Sequence, residues 1–102
     1  LTEDNLRKFR VDLAILGADA LDERGLYTTD LGIARVSEAM IDVAEETVLV
    51  ADSRKLNRTS FVKFADWDVI DHLIVDDGVE EAHRAWLDPC VKQLHYVGGA
   101  PC

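Results

Sequence analysis

Hydrophobic and polar positions along this chain alternate in strand-length and helix-length blocks. Residues 11–17 (VDLAILG) are a near-continuous apolar run that stops at Gly17-Ala18-Asp19. That is the pattern of a parallel strand covered on both faces. Two later runs, TVLVADS at 47–53 and HLIVDDG at 72–78, repeat it, each β-branched or leucine-rich and each ending on aspartate. Between the first two, Ile33, Val36, Met40, Val43 and Ala44 recur at helical spacing, with Arg35, Glu38, Asp42 and Glu45 on the other side. This predicts a helix over 31–46 whose apolar stripe is core packing. Strand, helix and strand in this order make a βαβ unit, with 47–51 as its second parallel strand.

The remaining blocks are shorter. A helix is predicted over 2–9, with Thr2 as its N-cap and Leu6 and Phe9 facing inward. Residues 22–31 read as a loop, with Gly25 free to take positive φ and Thr28-Thr29-Asp30 offering caps to the next helix. Residues 52–60 are a polar loop, and 61–64 a short extended piece at a sheet edge. A turn at 66–68 carries Trp67 as a packing residue, and 70–75 is the third core strand. A helix is expected from Gly78 to about Leu87, ended or kinked by Pro89, then a last strand over 93–97 and a frayed end over 98–102. The fold class expected is α/β, in three layers, with a mostly parallel sheet and helices on both faces. Strands 11–17, 47–51 and 70–75 should be parallel neighbours.

Composition narrows the function classes. At 102 residues, 48% hydrophobic and 30% charged, the chain is one domain of ordinary soluble composition. No apolar run reaches the roughly 18 residues of a membrane span and no signal peptide is visible, so a cytoplasmic setting without a membrane partner is expected. The net charge of −9 repels nucleic acid phosphates, so this segment is not expected to grip DNA or RNA itself. The single methionine is Met40 and the chain begins at Leu1, so a piece of something longer is expected. Cys90 and Cys102 are expected as free thiols in that setting. With His72, His83 and His95 they show no zinc spacing, and no metal or cofactor is expected.

Three strands ending on aspartate create a polar rim, where open α/β sheets bind ligands. Directly after the second strand comes Ser53-Arg54-Lys55-Leu56-Asn57-Arg58-Thr59-Ser60, with three of the eleven cations in five positions. Charge-assisted donors and hydroxyls together suit a phosphate, where arginine forks and lysine acts as a point charge. A solvated basic loop on an acidic protein is the plainer account; the strand-end position favours anion binding. Asp19, at the first tight turn, can accept hydrogen bonds from sugar hydroxyls or act as a base, or simply cap its own loop. Asp76-Asp77 could join Asp19 and Asp52 around Mg²⁺, but adjacent strand residues face opposite ways, which weakens that reading. No P-loop, GxGxxG or nucleophile elbow is present.

Taken together, LGADALDERGLYTTD, RVSEAMIDVAEETVLVADSRKLNRTSF and VIDHLIVDDG resemble the C-terminal effector domain of the DeoR family of bacterial transcriptional repressors. The resemblance runs from about Phe9 to Gly78, with its parts in the family's order. It implies a sensor of a phosphorylated sugar, similar in fold to ribose-5-phosphate isomerase, that controls operator DNA through an N-terminal winged helix-turn-helix. Both that DNA-binding domain and the upstream half of the sensor domain, with its Thr- and Gly-rich phosphate loop, lie outside these residues, and a homo-oligomer is expected. Asp19 matches a sugar-contacting aspartate and Lys55 a lysine at the sugar-phosphate site. The effector-binding residues expected are therefore Asp19, Asp52, Ser53, Lys55 and Arg58. The isomerase-like enzymes carry a glycine-rich stretch and a glutamate base after the GAD turn. Here residues 25–35 read GLYTTDLGIAR, with no glutamate before Glu38, which speaks for a non-enzyme over the alternative of an isomerase-like enzyme.

Overall fold

A computed structural model describes residues 3–98 of the chain. Thr2 as a cap, the tail 99–102 and any pairing of Cys102 fall outside the described residues. Four strands form a parallel sheet in the order β1 (Val11–Leu16), β4 (Ala44–Ala51), β6 (His72–Asp76) and β7 (Leu94–Val97). A second, antiparallel sheet has the order β2 (Ala20–Asp22), β3 (Gly25–Thr28) and β5 (Val62–Ala65). The three apolar runs are thus parallel neighbours, with the β4 run in the middle.

The helices are α1 (Glu3–Leu6), α2 (Leu31–Val43) and α3 (Glu81–Cys90). Asp30 caps α2, its side chain accepting from the Ile33 amide at 3.1 Å. The helix stops at Val43 and the chain passes straight into β4. Its buried residues are Ala34, Ser37, Ala39 and Val43, while Ile33 is 56% exposed. The inward stripe is therefore rotated from the one expected. The reason is position: α2 lies against β1, β3, β4 and β5, so small side chains let it approach both sheets. α3 begins at Glu81, later than expected, and Pro89 sits in its last turn.

The expected loop over 22–31 is instead the β2–β3 hairpin. The Asp22 carboxylate accepts from the amides of Arg24 at 2.9 Å and Gly25 at 3.2 Å, building the turn. Gly25 has φ 154°, and a Cβ there would meet the Ala65 carbonyl oxygen at 2.3 Å. All four residues of β3 are buried, because β5 pairs along its other side. Trp67 is buried as expected and donates its indole N–H to the Asp22 carbonyl at 2.8 Å.

One core unites the two sheets and the two longer helices. Leu16, Leu49, Leu73 and Val75 reach it from the parallel sheet, Leu26 and Phe64 from the small one, and Leu87 from α3. The other face of the parallel sheet is bare among the described residues, which corrects the expectation of helices on both faces. Leu13 is 48% exposed, Ile15 61% and Val50 46%. β1 consequently alternates, with Ala14 and Leu16 buried, where both-sided cover had been expected.

Candidate effector-binding site

Parallel pairing brings the C-terminal ends of β1, β4 and β6 side by side. Leu16 pairs with Leu49 and Ala51 with Val75, so Asp19, the 52–58 loop and Asp76 share one rim. Asp19, Arg54, Lys55 and Arg58 line a cleft there of about 370 Å³. Two sequence candidates from one loop and a third from a distant turn meet as the strand-end argument requires.

Asp19 is held from one side. Its Oδ2 accepts from the Thr29 amide at 2.9 Å, the Thr28 hydroxyl at 3.0 Å and the Thr29 hydroxyl at 3.2 Å. The amide of Thr29 first, and then the Thr28 hydroxyl, hold its carboxyl below the usual aspartate range, with a smaller pull from Lys55. The Asp19 amide in turn donates to the Tyr27 carbonyl at 2.9 Å. Thr28 and Thr29 read in the sequence as caps for α2; the hairpin's return to the turn gives them this second task. Only knowledge of that hairpin could have revealed it.

The loop has three anchors. Leu56 is buried in the core and bridges Leu21, and the Arg58 amide donates to the Leu21 carbonyl at 3.1 Å. Asn57 turns the chain with φ 58°. At its start, Ser53 is bound to Asp76: amide to Oδ1 at 2.6 Å and hydroxyl to Oδ2 at 2.8 Å. Asp52 caps the short turn Ser53–Lys55 and grips Arg54, whose Nη2 lies 2.6 Å from Oδ2. The Arg54 side chain, ahead of its amide, lowers the Asp52 carboxyl to about 2.

So the five sequence candidates divide. Asp19, Lys55 and Arg58 line the cleft; Asp52 and Ser53 face partners within the chain. Among the described residues, no ion pair engages Lys55 or Arg58. No three His, Cys, Asp or Glu side chains among the described residues converge as a metal site. The rim can therefore offer two unpaired cations to an anion and the outer oxygen of Asp19 to a hydroxyl.

The bare face carries a second polar cluster that no spacing of His72, His95 and Glu46 along the chain signals. His72 Nδ1 lies 3.1 Å from His95 Nε2, and His72 Nε2 lies 2.7 Å from Glu46 Oε2. The pair sits in an apolar groove of about 410 Å³ with Leu13, Val48, Ile74 and Val97.

The described residues thus form an α/β domain with a cationic cleft at its strand ends, where open α/β sheets bind ligands. Residues 1–77 match the family model of the DeoR C-terminal sensor domain, and the chain belongs to that family. It is 42% identical over 78 residues to a putative aga operon transcriptional repressor of Escherichia coli O157:H7, covering 76% of this chain and 29% of that protein. It is 44% identical over 87 residues to the regulator GlpR of Haloferax volcanii, covering 84% and 34%. A glycerol-3-phosphate regulon repressor of Haemophilus influenzae is 32% identical over 77 residues, covering 74% and 30%. The chain thus spans about a third of the length of these relatives. No helix among the described residues is long and apolar enough to cross a membrane.

Proposed function

We propose that this chain is the effector-binding part of a DeoR-type repressor and that its ligand is a phosphorylated sugar or polyol. The observation that carries the reading is the cleft itself. In a chain of net charge −9, two cations that no ion pair engages among the described residues meet a carboxylate that still has an outer oxygen to offer. Lys55 and Arg58 hold the phosphate, and Asp19 accepts from a hydroxyl. The name of the Haemophilus relative, a glycerol-3-phosphate regulon repressor, fits such a ligand. Binding shifts the whole protein between DNA-competent and DNA-incompetent states, by as much as the ligand's affinity differs between them.

The reading extends beyond these residues. The bare face of the parallel sheet is the seat of the upstream half of the sensor domain, completing an arrangement like that of ribose-5-phosphate isomerase. A winged helix-turn-helix further upstream contacts the operator, and the whole works as a cytoplasmic homo-oligomer. Turnover is not part of this reading. The cleft's carboxylate, Asp19, is held ionised by three donors, which makes it a poor base.

The test is calorimetric titration of the full-length protein with a panel of sugar and polyol phosphates. Lys55→Ala and Arg58→Ala should each lose one charge-assisted hydrogen bond of about 1.5–3 kcal/mol, roughly ten- to hundredfold in affinity. Their melting temperatures should stay near the parent's, since exposed charges contribute little to stability. Unchanged affinity in both variants refutes the site. Steady isomerase turnover lost on Asp19→Asn refutes the sensor reading.

A further inference from the structure

Asp76 closes β6 beside the cleft, and both of its carboxylate oxygens are occupied by the chain itself. Oδ1 takes the Ser53 amide at 2.6 Å; Oδ2 takes the Ser53 hydroxyl at 2.8 Å and the Gly78 amide at 3.1 Å. Gly78 is part of this clamp. A Cβ there would lie 2.8 Å from Asp76 Oδ2 and 2.9 Å from the Ser53 hydroxyl, so no side chain fits without displacing one of them. Ser53 opens the loop that carries Lys55 and Arg58, and its hydroxyl is committed to Asp76.

We infer that Asp76 is a positioning residue for the anion loop, setting the place of Lys55 and Arg58 through Ser53 while touching no ligand itself. Three neutral donors hold both of its oxygens toward the chain and make the charged carboxylate a strut. The Ser53 amide, ahead of its hydroxyl, holds the Asp76 carboxyl below the usual range, so the strut stays ionised at neutral pH. The loop needs such a strut because it gathers Arg54, Lys55 and Arg58, which repel one another, onto one short stretch. Leu56 and the Arg58 amide fix its far end, and the Asp76–Ser53 clamp fixes its start.

This inference rests on the phosphate reading of the cleft, and its test separates the two. In the full-length protein, the tightest-binding sugar phosphate of the panel is titrated into Asp76→Asn, Ser53→Ala, their double variant, Ser53→Thr and Gly78→Ala. Asp76→Asn and Ser53→Ala should each lose about tenfold in affinity. The double variant should lose no more than the worse single one, because both act through one pair of contacts. Ser53→Thr, which keeps the hydroxyl, should bind within about twofold of the parent. Gly78→Ala, which removes no polar group, should weaken binding as well, and it serves as the test if Asp76→Asn does not fold. Amide exchange of residues 54–58, measured without ligand, should speed up in Asp76→Asn and Ser53→Ala. Losses that multiply in the double variant would give Ser53 its own contact to the ligand and overturn the inference. So would parent-like affinity in Asp76→Asn, or in Gly78→Ala. If the parent binds no sugar phosphate, the functional reading fails, and unchanged exchange at 54–58 in the variants would then reject the strut on its own.

Discussion

The two faces of the parallel sheet are built from the same kind of residue and meet different fates. On one face Leu16, Leu49, Leu73 and Val75 are packed beneath α2, α3 and the small sheet. On the other, Leu13, Ile15, Val50 and Ile74 form an apolar surface with nothing over it among the described residues, save a histidine pair and Glu46. An apolar face of this kind is uncommon on a finished surface and marks a place where something packs. The difference teaches that similar apolar runs do not by themselves tell a packed face from an open one; the layer above them decides.

The largest expected effect tests this contrast within the present chain. Leu49→Ala empties a fully buried position at the centre of the sheet and should cost about 2–5 kcal/mol. Ile15→Ala removes more exposed surface than packed contact and should stay within about 0.5 kcal/mol. Urea unfolding of the two variants beside the parent measures both. Comparable losses would mean that the bare face already carries a partner in solution.

What the sequence made legible follows the same division. The parallel order of the three apolar runs, the Asp30 cap and the buried Trp67 were readable because each rests on local pattern and residue chemistry. The β2–β3 hairpin was not. GLYT is short, and its burial depends on β5, far along the chain. The register of α2 was missed for a related reason: choosing the largest apolar side chains favours Ile33, whereas a helix wedged between two sheets buries Ala34 and Ser37. At the rim, the strand-end rule singled out Asp19, Lys55 and Arg58, which do share a cleft. It could not show that Ser53 would turn to Asp76, a partner 23 residues away that only the sheet brings near. The grip of Asp52 on Arg54 is local, two residues apart, and follows the capping habit of aspartate.

A second, smaller effect sharpens the comparison by changing the protein rather than the residue. On the proposal that the upstream half of the sensor domain covers the bare face, Ile15→Ala should cost about 2 kcal/mol or more in the full-length protein. The same change in this chain should cost next to nothing. Denaturant unfolding of both lengths, with and without the substitution, gives the difference directly. If Ile15→Ala is equally harmless in both, the upstream half packs elsewhere, and the face belongs to another copy or another partner.

The smallest effect lies at the rim between the two faces, where the Asp19 turn is tied to Thr28, the last residue of β3, and to Thr29 after it by three hydrogen bonds to one carboxylate oxygen. Its folded pKa lies below the ordinary value of 3.8, chiefly through the Thr29 amide. A depressed carboxylate contributes stability that is fully present above its unfolded pKa and disappears as pH falls through the folded one. The window is therefore below about pH 4, and neutral pH should show no dependence from this group. Asp19 is exposed, so after solvent screening its share should stay under about 1 kcal/mol. Urea midpoints taken from pH 6 downward should fall more steeply for the parent than for Asp19→Asn, whose amide cannot titrate. Asp76 is depressed in the same direction and remains in both proteins, so it cancels from their difference. Parallel curves for the two proteins would show that the Thr28–Thr29 clasp does not hold the turn, and that Asp19 is free to move when a ligand arrives.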